Sequence, residues 1–138
     1  MERLGTIEDK FAVQEALDEY CLRIELNTFE EWLDLFADDA EMTLFRRTLK
    51  GRIEIAEMLS LAPHGVHLGG VSRISVTGDV AETVQNYIFV GDDESTSNNG
   101  WYFRTLVRTP EGWKISRMRV KLQKRLPRDS QAQGLTTD

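Results

Sequence analysis

The run Val66-His67-Leu68-Gly69-Gly70-Val71-Ser72-Arg73-Ile74-Ser75-Val76-Thr77, the pair Gly78-Asp79, and the run Val80-Ala81-Glu82-Thr83-Val84-Gln85-Asn86-Tyr87-Ile88-Phe89-Val90 decide the architecture. Both long runs are rich in β-branched and aromatic residues, which suit a pleated, half-buried strand. A glycine-containing link of two residues between them supports a hairpin. Outward along the chain the same texture continues. Gly100 to Thr109 and Trp113 to Lys124 are further strand candidates, joined by Pro110-Glu111-Gly112 and preceded by the polar loop Gly91 to Asn99.

The N-terminal half reads differently. Thr6 and Asp9 form an acidic variant of a capping box, and Phe11, Leu17, Tyr20, Cys21 and Ile24 recur at helical spacing, predicting a helix to about Glu25. Thr28 as N-cap and Glu31 three residues later open a short second helix that carries Trp32, Leu35 and Phe36 on one face. Glu41 to Leu49 reads as a strand, and the Lys50-Gly51 turn leads to a third helix near Ile53 to Leu61, stopped by Pro63 and Gly65. Three helices followed by a long antiparallel meander describe an α+β domain. Such a sheet, curled around the N-terminal helices, makes a cone whose apolar interior opens at one end, where pockets form. Residues 1–126 make up this one domain. The polar, aperiodic tail Pro127 to Asp138 is read as either frayed or a lid over the pocket.

At 138 residues and 41% hydrophobic, the chain has room for one core and a modest cavity. Its 17 basic and 23 acidic residues leave a net charge of −6, which argues against nucleic acid or an anionic membrane as a partner. No stretch approaches the roughly 20 apolar residues of a membrane span. The opening Met1-Glu2-Arg3 is unlike a signal peptide, so a cytoplasmic location is expected. Cys21 is the single cysteine and falls on the apolar side of its helix, excluding an internal disulfide and pointing to core packing. Asp38-Asp39 is read as a turn before a strand, with no histidine or third carboxylate at ligand spacing, so no metal is expected. Without a glycine-rich phosphate loop, a nucleophile elbow or a dinucleotide fingerprint, no cofactor is expected either.

His67 is the first candidate for chemistry. It is one of two histidines and stands between apolar residues at the head of a strand, an unusual place for a group that titrates near neutrality. His64, in the preceding turn, reads as exposed. Glu25 follows Cys21 by four positions, so it lies at the edge of the apolar stripe of its helix. A carboxylate near a helix C-terminus also opposes the macrodipole, which suggests a purpose or a cationic partner. Tyr20 and Tyr102 are candidates to offer a phenol to a ligand, and Asn86 and Tyr87 alternate, so at most one of the two faces the pocket. Trp32, Trp113, Phe36 and Phe45 read as core or wall, with Phe36 placed against the pocket.

Several strings in order resemble one family. They are Tyr20, Trp32 through Ala40, Gly51, His67, Gly78-Asp79-Val80-Ala81, Tyr87 and Gly112-Trp113-Lys114-Ile115. Together they are similar to SnoaL-like members of the nuclear transport factor 2-like superfamily, over about residues 6 to 124. The resemblance implies a cystatin-like cone, an α+β barrel with an internal cavity, assembled as a homo-oligomer, dimer or trimer, through the outer face of its sheet. It does not imply one reaction, because isomerases, cyclases, dehydratases and non-catalytic subunits share the cone.

Within the superfamily, the chain most resembles scytalone dehydratase and hexachlorocyclohexane dehydrochlorinase. Their acidic residue ending the first helix matches Glu25, and their histidine opening the next long strand matches His67. The resemblance implies His67 as the base and Glu25 as its partner; the residues themselves offer Tyr20 or Tyr102 to polarise a carbonyl or assist the leaving group, with Tyr102, Tyr87 and Phe36 against the substrate. Three positions depart from the pattern. Glu25 stands where the family has aspartate. Gly100-Trp101-Tyr102-Phe103 lacks the dehydratase's second histidine, and Leu44 occupies about the place of the steroid isomerases' aspartate. The expected activity is that of a cofactor-independent lyase or isomerase on a small cyclic or polyketide-like compound. The alternative is a non-catalytic binding or assembly domain resembling an oxygenase small subunit.

Overall fold

The computed structural model describes residues 4–123. The tail from Pro127 and the domain boundary at 126 lie outside the described residues.

Helix α1 spans Ile7–Glu25 and begins with the expected reciprocal cap. The Thr6 backbone N–H donates to Asp9 Oδ2 and the Asp9 backbone N–H donates to Thr6 Oγ1, each at 3.1 Å. Its buried residues Val13, Ala16, Leu17, Tyr20 and Cys21 fall three to four apart, the stripe that faces the sheet. Helix α2 spans only Phe29–Leu33, and Trp32 is its one buried residue. Thr28 precedes it without capping it, because its hydroxyl donates back to the Arg23 carbonyl at 3.1 Å. Phe36 is therefore no helical residue. It opens strand β1, Phe36–Leu44, and this strand also contains Asp38 and Asp39, which the sequence reading placed in a turn.

The single strand expected over Glu41 to Leu49 is a hairpin. Strand β2 spans Arg47–Lys50 and pairs back on β1, with Leu44 opposite Arg47. The reversal lies at Phe45-Arg46, where Phe45 takes φ +60°. Phenylalanine rarely adopts this backbone, and the absence of glycine, asparagine or proline concealed the turn. Helix α3 follows at Gly51–Leu61. The long strands then come as expected: β3 Gly65–Thr77, β4 Val80–Gly91, β5 Asn98–Thr109 and β6 Gly112–Leu122.

The six strands form one curved, unclosed sheet in the order β2-β1-β6-β5-β4-β3. Every neighbouring pair is antiparallel except β1 and β6, which run parallel. The meander β3 to β6 is built by hairpins, whereas β1 joins β6 from a distant segment that no tight turn constrains. Strand β3 carries a bulge. Gly69 pairs with Tyr87 but Ser72 with Gln85, so one extra residue bulges between them. Gln85 Nε2 donates to the Gly70 carbonyl at 3.3 Å, and the Val71 N–H donates to Asn86 Oδ1 at 2.6 Å. A Cβ on Gly70 would come within 2.1 Å of Asn86 Oδ1, so any other residue there requires the Asn86 side chain to give up its place in the bulge.

On the concave face β4 presents Ala81, Thr83, Gln85, Tyr87 and Phe89, and β5 presents Tyr102, Arg104 and Leu106. They close on α1 together with Trp32, Phe36, Ile115 and Met118, all fully buried. Each such apolar side chain contributes roughly 1.5–3 kcal/mol on burial. Arg108 pins the first turn of α1 to the sheet, 2.9 Å from Asp9 and 3.0 Å from Asp79, while its guanidinium lies over Trp113. No helix among the described residues is long and apolar enough to cross a membrane.

Candidate active site

A cavity of about 640 Å³ lies between the end of α1, α2, α3 and the concave face of the sheet. That volume falls within the roughly 300–1,000 Å³ usual for small-molecule sites. Its walls bring together Tyr20, Glu25, His67, Tyr87 and Tyr102, residues separated by up to most of the chain. Phe36 is not among the lining residues. It is wholly buried and supports the wall from behind, its ring 4.9 Å from Trp32 and 6.2 Å from Tyr20.

His67 reaches the cavity because it alternates with outward-facing Val66 and Leu68 on β3. It pairs with Phe89 of β4, and the two rings lie 4.6 Å apart. Glu25, the last residue of α1, accepts a hydrogen bond from the His67 backbone N–H. The carboxylate thus meets the main chain of His67 and not its ring. Imidazole Nδ1 is buried and has no hydrogen-bond partner among the described residues. Burial pushes the His67 pKa below its ordinary 6.5, while the negative charge of Glu25 pulls the other way. The result is a half-buried imidazole that is neutral at neutral pH and able to accept a proton.

Three tyrosines form the floor. Tyr87 and Tyr102 sit on adjacent strands as diagonal neighbours and stack, with ring centroids 4.1 Å apart and planes 4° from parallel. The Tyr87 hydroxyl donates to Asn98 Oδ1 at 2.6 Å, and burial pushes its pKa up to about 12. Tyr20 packs 5.3 Å from Tyr102, and burial raises both phenols well above their ordinary value. Both therefore stay protonated. Neither hydroxyl bonds to another described residue, which leaves two O–H donors for a ligand.

Charge is distributed unevenly. Glu25 and Asp92 line the cavity, and no lysine or arginine does so among the described residues. His64 is exposed at the rim, where its carbonyl accepts the Asp92 N–H at 2.9 Å. Leu44 and Asn98 also line the walls. Behind the floor lies Arg104, 1% exposed, whose guanidinium carbon is 4.4 Å from the Tyr20 ring and 4.5 Å from the Tyr102 ring. The sequence reading passed over Arg104, although the alternation Tyr102, Arg104, Leu106 puts it on the buried side of its strand.

A relative of 27% identity over 128 residues, covering 85% of this chain and 87% of its own, is the uncharacterized protein Rv2910c of Mycobacterium tuberculosis. Among solved structures, LinA superposes with a TM-score of 0.75 at 18% identity over 86% of this chain and 88% of its own. A provisionally named scytalone dehydratase from Novosphingobium aromaticivorans gives a TM-score of 0.75 at 20% identity, covering 86% of each chain. These likenesses agree with the cone seen here. The family model described as the SnoaL-like domain matches residues 5–119, and the chain belongs to that family.

Proposed function

We propose that this protein is a cofactor-independent lyase or isomerase of the dehydratase type, acting on a small cyclic or polyketide-like compound. The observation that carries the reading is a neutral, half-buried His67 opening into an apolar cavity, with Glu25 bound to its main chain. Similarity in fold to a provisional scytalone dehydratase and to LinA, a dehydrochlorinase, supports the same class of chemistry.

In this reading His67 removes a proton from the carbon next to a carbonyl. The C–H electron pair moves toward the carbonyl oxygen, which Tyr20 and Tyr102 receive with their O–H groups. Collapse of the enolate expels a hydroxyl from the neighbouring carbon, and the imidazolium returns its proton to it, so the net change is loss of one water. Glu25 balances the transient imidazolium. In the isomerase variant the proton returns to another carbon and nothing leaves.

A purely assembling domain with its cone filled by Phe, Leu and Trp side chains would leave no such space, so the open 640 Å³ favours a ligand-holding cavity, and turnover is what separates an enzyme from a binder. The test is a screen of hydroxylated cyclic and polyketide-like compounds with the wild type and His67→Gln side by side, with melting temperature as the folding control. Loss of general-base help lowers turnover about 10²–10⁴-fold. Equal turnover by a folded His67→Gln protein sinks the mechanism.

A further inference from the structure

Arg104 is a cation buried to 1% exposure, and no carboxylate among the described residues pairs with it. Its Nη1 donates to Gln85 Oε1 at 3.1 Å, whereas Nε and Nη2 have no hydrogen-bond partner among the described residues. Among the described residues Asp18 is the one carboxylate whose charge acts on it, and weakly, since that side chain is exposed and accepts from Gln14 Nε2 at 3.0 Å. Cys21 and the phenols of Tyr20 and Tyr102 are the other titratable groups around it. Burying a guanidinium without a counter-ion is strongly unfavourable, and stacking on two rings offsets only part of that cost. Arginine keeps its charge at neutral pH even so. The fold therefore holds a fixed positive charge immediately behind the cavity floor, facing a rim that carries Glu25 and Asp92.

We infer that Arg104 is a positioning residue whose buried charge turns the Tyr20 and Tyr102 hydroxyls into an oxyanion site, selecting ligands with an enolisable carbonyl or an acidic phenolic oxygen. This rests on the proposed proton abstraction and names its substrate class. The acidic rim repels a negative end and the floor attracts it, so the ligand enters with its oxygen downward. Negative charge that develops on that oxygen meets two phenolic donors backed by a cation, in a region where water cannot screen it. Arg104 touches no ligand and acts through the two rings.

The probe is para-nitrophenol, whose phenolate absorbs visible light, so the ionisation of the bound molecule is read directly without turnover. Bound to the wild type, its phenol is expected to ionise at least about one pH unit lower than in water. Arg104→Met, of similar length and apolar, abolishes that shift, and Arg104→Lys restores most of it. An equal shift in folded Arg104→Met, or failure of the probe to bind the wild type at millimolar concentration, overturns the inference. Should Arg104→Met not fold, wild-type affinities for phenols of equal size and graded acidity decide the matter: affinity rising with acidity supports the oxyanion site, and a flat series overturns it. Because the probe only exchanges its proton and is not turned over, this outcome is independent of the His67→Gln turnover test. A shifted probe with unchanged turnover in His67→Gln would discard the base and keep the floor.

Discussion

The Glu25 carboxylate accepts the backbone N–H of His67 across 42 positions of sequence, tying the last residue of α1 to the head of β3. One bond therefore fixes where the imidazole enters the cavity and places a negative charge beside it. Geometry and charge can be separated experimentally. Glu25→Gln keeps an oxygen to accept the N–H but loses the charge, so His67 should titrate lower still, and turnover should fall by less than in His67→Gln. Glu25→Ala loses both and should cost in addition about 1 kcal/mol of stability. An NMR titration of His67 with urea unfolding of both variants checks this. A His67 pKa unmoved by Glu25→Gln would show that the carboxylate serves only the main chain.

The pH dependence follows from the direction of the His67 shift. Burial depresses its pKa below 6.5. The base thus remains neutral to a lower pH than a free histidine, and the acid limb of the activity profile should lie below 6.5. Stability carries the same sign. The unfolded chain binds the proton more readily, so the contribution is complete above about pH 6.5 and is lost as pH falls through the folded pKa. His67→Gln should flatten that part of the curve in melting experiments, and an unchanged slope would exclude His67 as its source.

The bulge in β3 predicts a specific pair of variants. Gly70→Ala drives a methyl group to within 2.1 Å of Asn86 Oδ1 and should destabilise by about 1–3 kcal/mol. Combining it with Asn86→Ala removes the clash, so the double variant should be more stable than the sum of the singles implies. Urea titrations of the three proteins give the coupling. Additive losses would place the strain elsewhere.

Assembly is expected from the outer face of the sheet. Leu68 is paired with Ile88 and Val66 with Val90, all four between 43% and 53% exposed, and they form an apolar patch next to the free edge of β3. We expect a homo-oligomer, dimer or trimer, to cover it. Light scattering should give a multiple of 15.8 kDa, and Leu68→Glu should reduce it toward the monomer. A wild-type mass of 15.8 kDa at working concentrations would exclude this assembly.

Much of this architecture was legible in the residues themselves. Strand composition, the Gly78-Asp79 link and the Thr6-Asp9 cap are local signals, decided by backbone conformations within a few positions, and the four long strands and α1 follow them closely. The β1–β2 reversal escaped notice because Phe45 adopts φ +60° without any residue that favours it. The parallel pairing of β1 with β6 joins segments whose contact no local preference encodes.

The candidate site divides along the same line. Residue type and strand alternation are enough to nominate His67, Glu25, Tyr20, Tyr87 and Tyr102, because each is read from its own few neighbours. Only the folded chain decides that Glu25 grips the main chain of His67 while Nδ1 meets no partner among the described residues, that Phe36 stands behind Trp32, and that Arg104 lies beneath two tyrosine rings with no carboxylate beside it among those residues. Those relationships depend on where a bulged strand and a helix end meet in space. Distances of a few ångströms between residues tens of positions apart are set by the sum of packing over the whole cone, and no local stretch of sequence carries that sum.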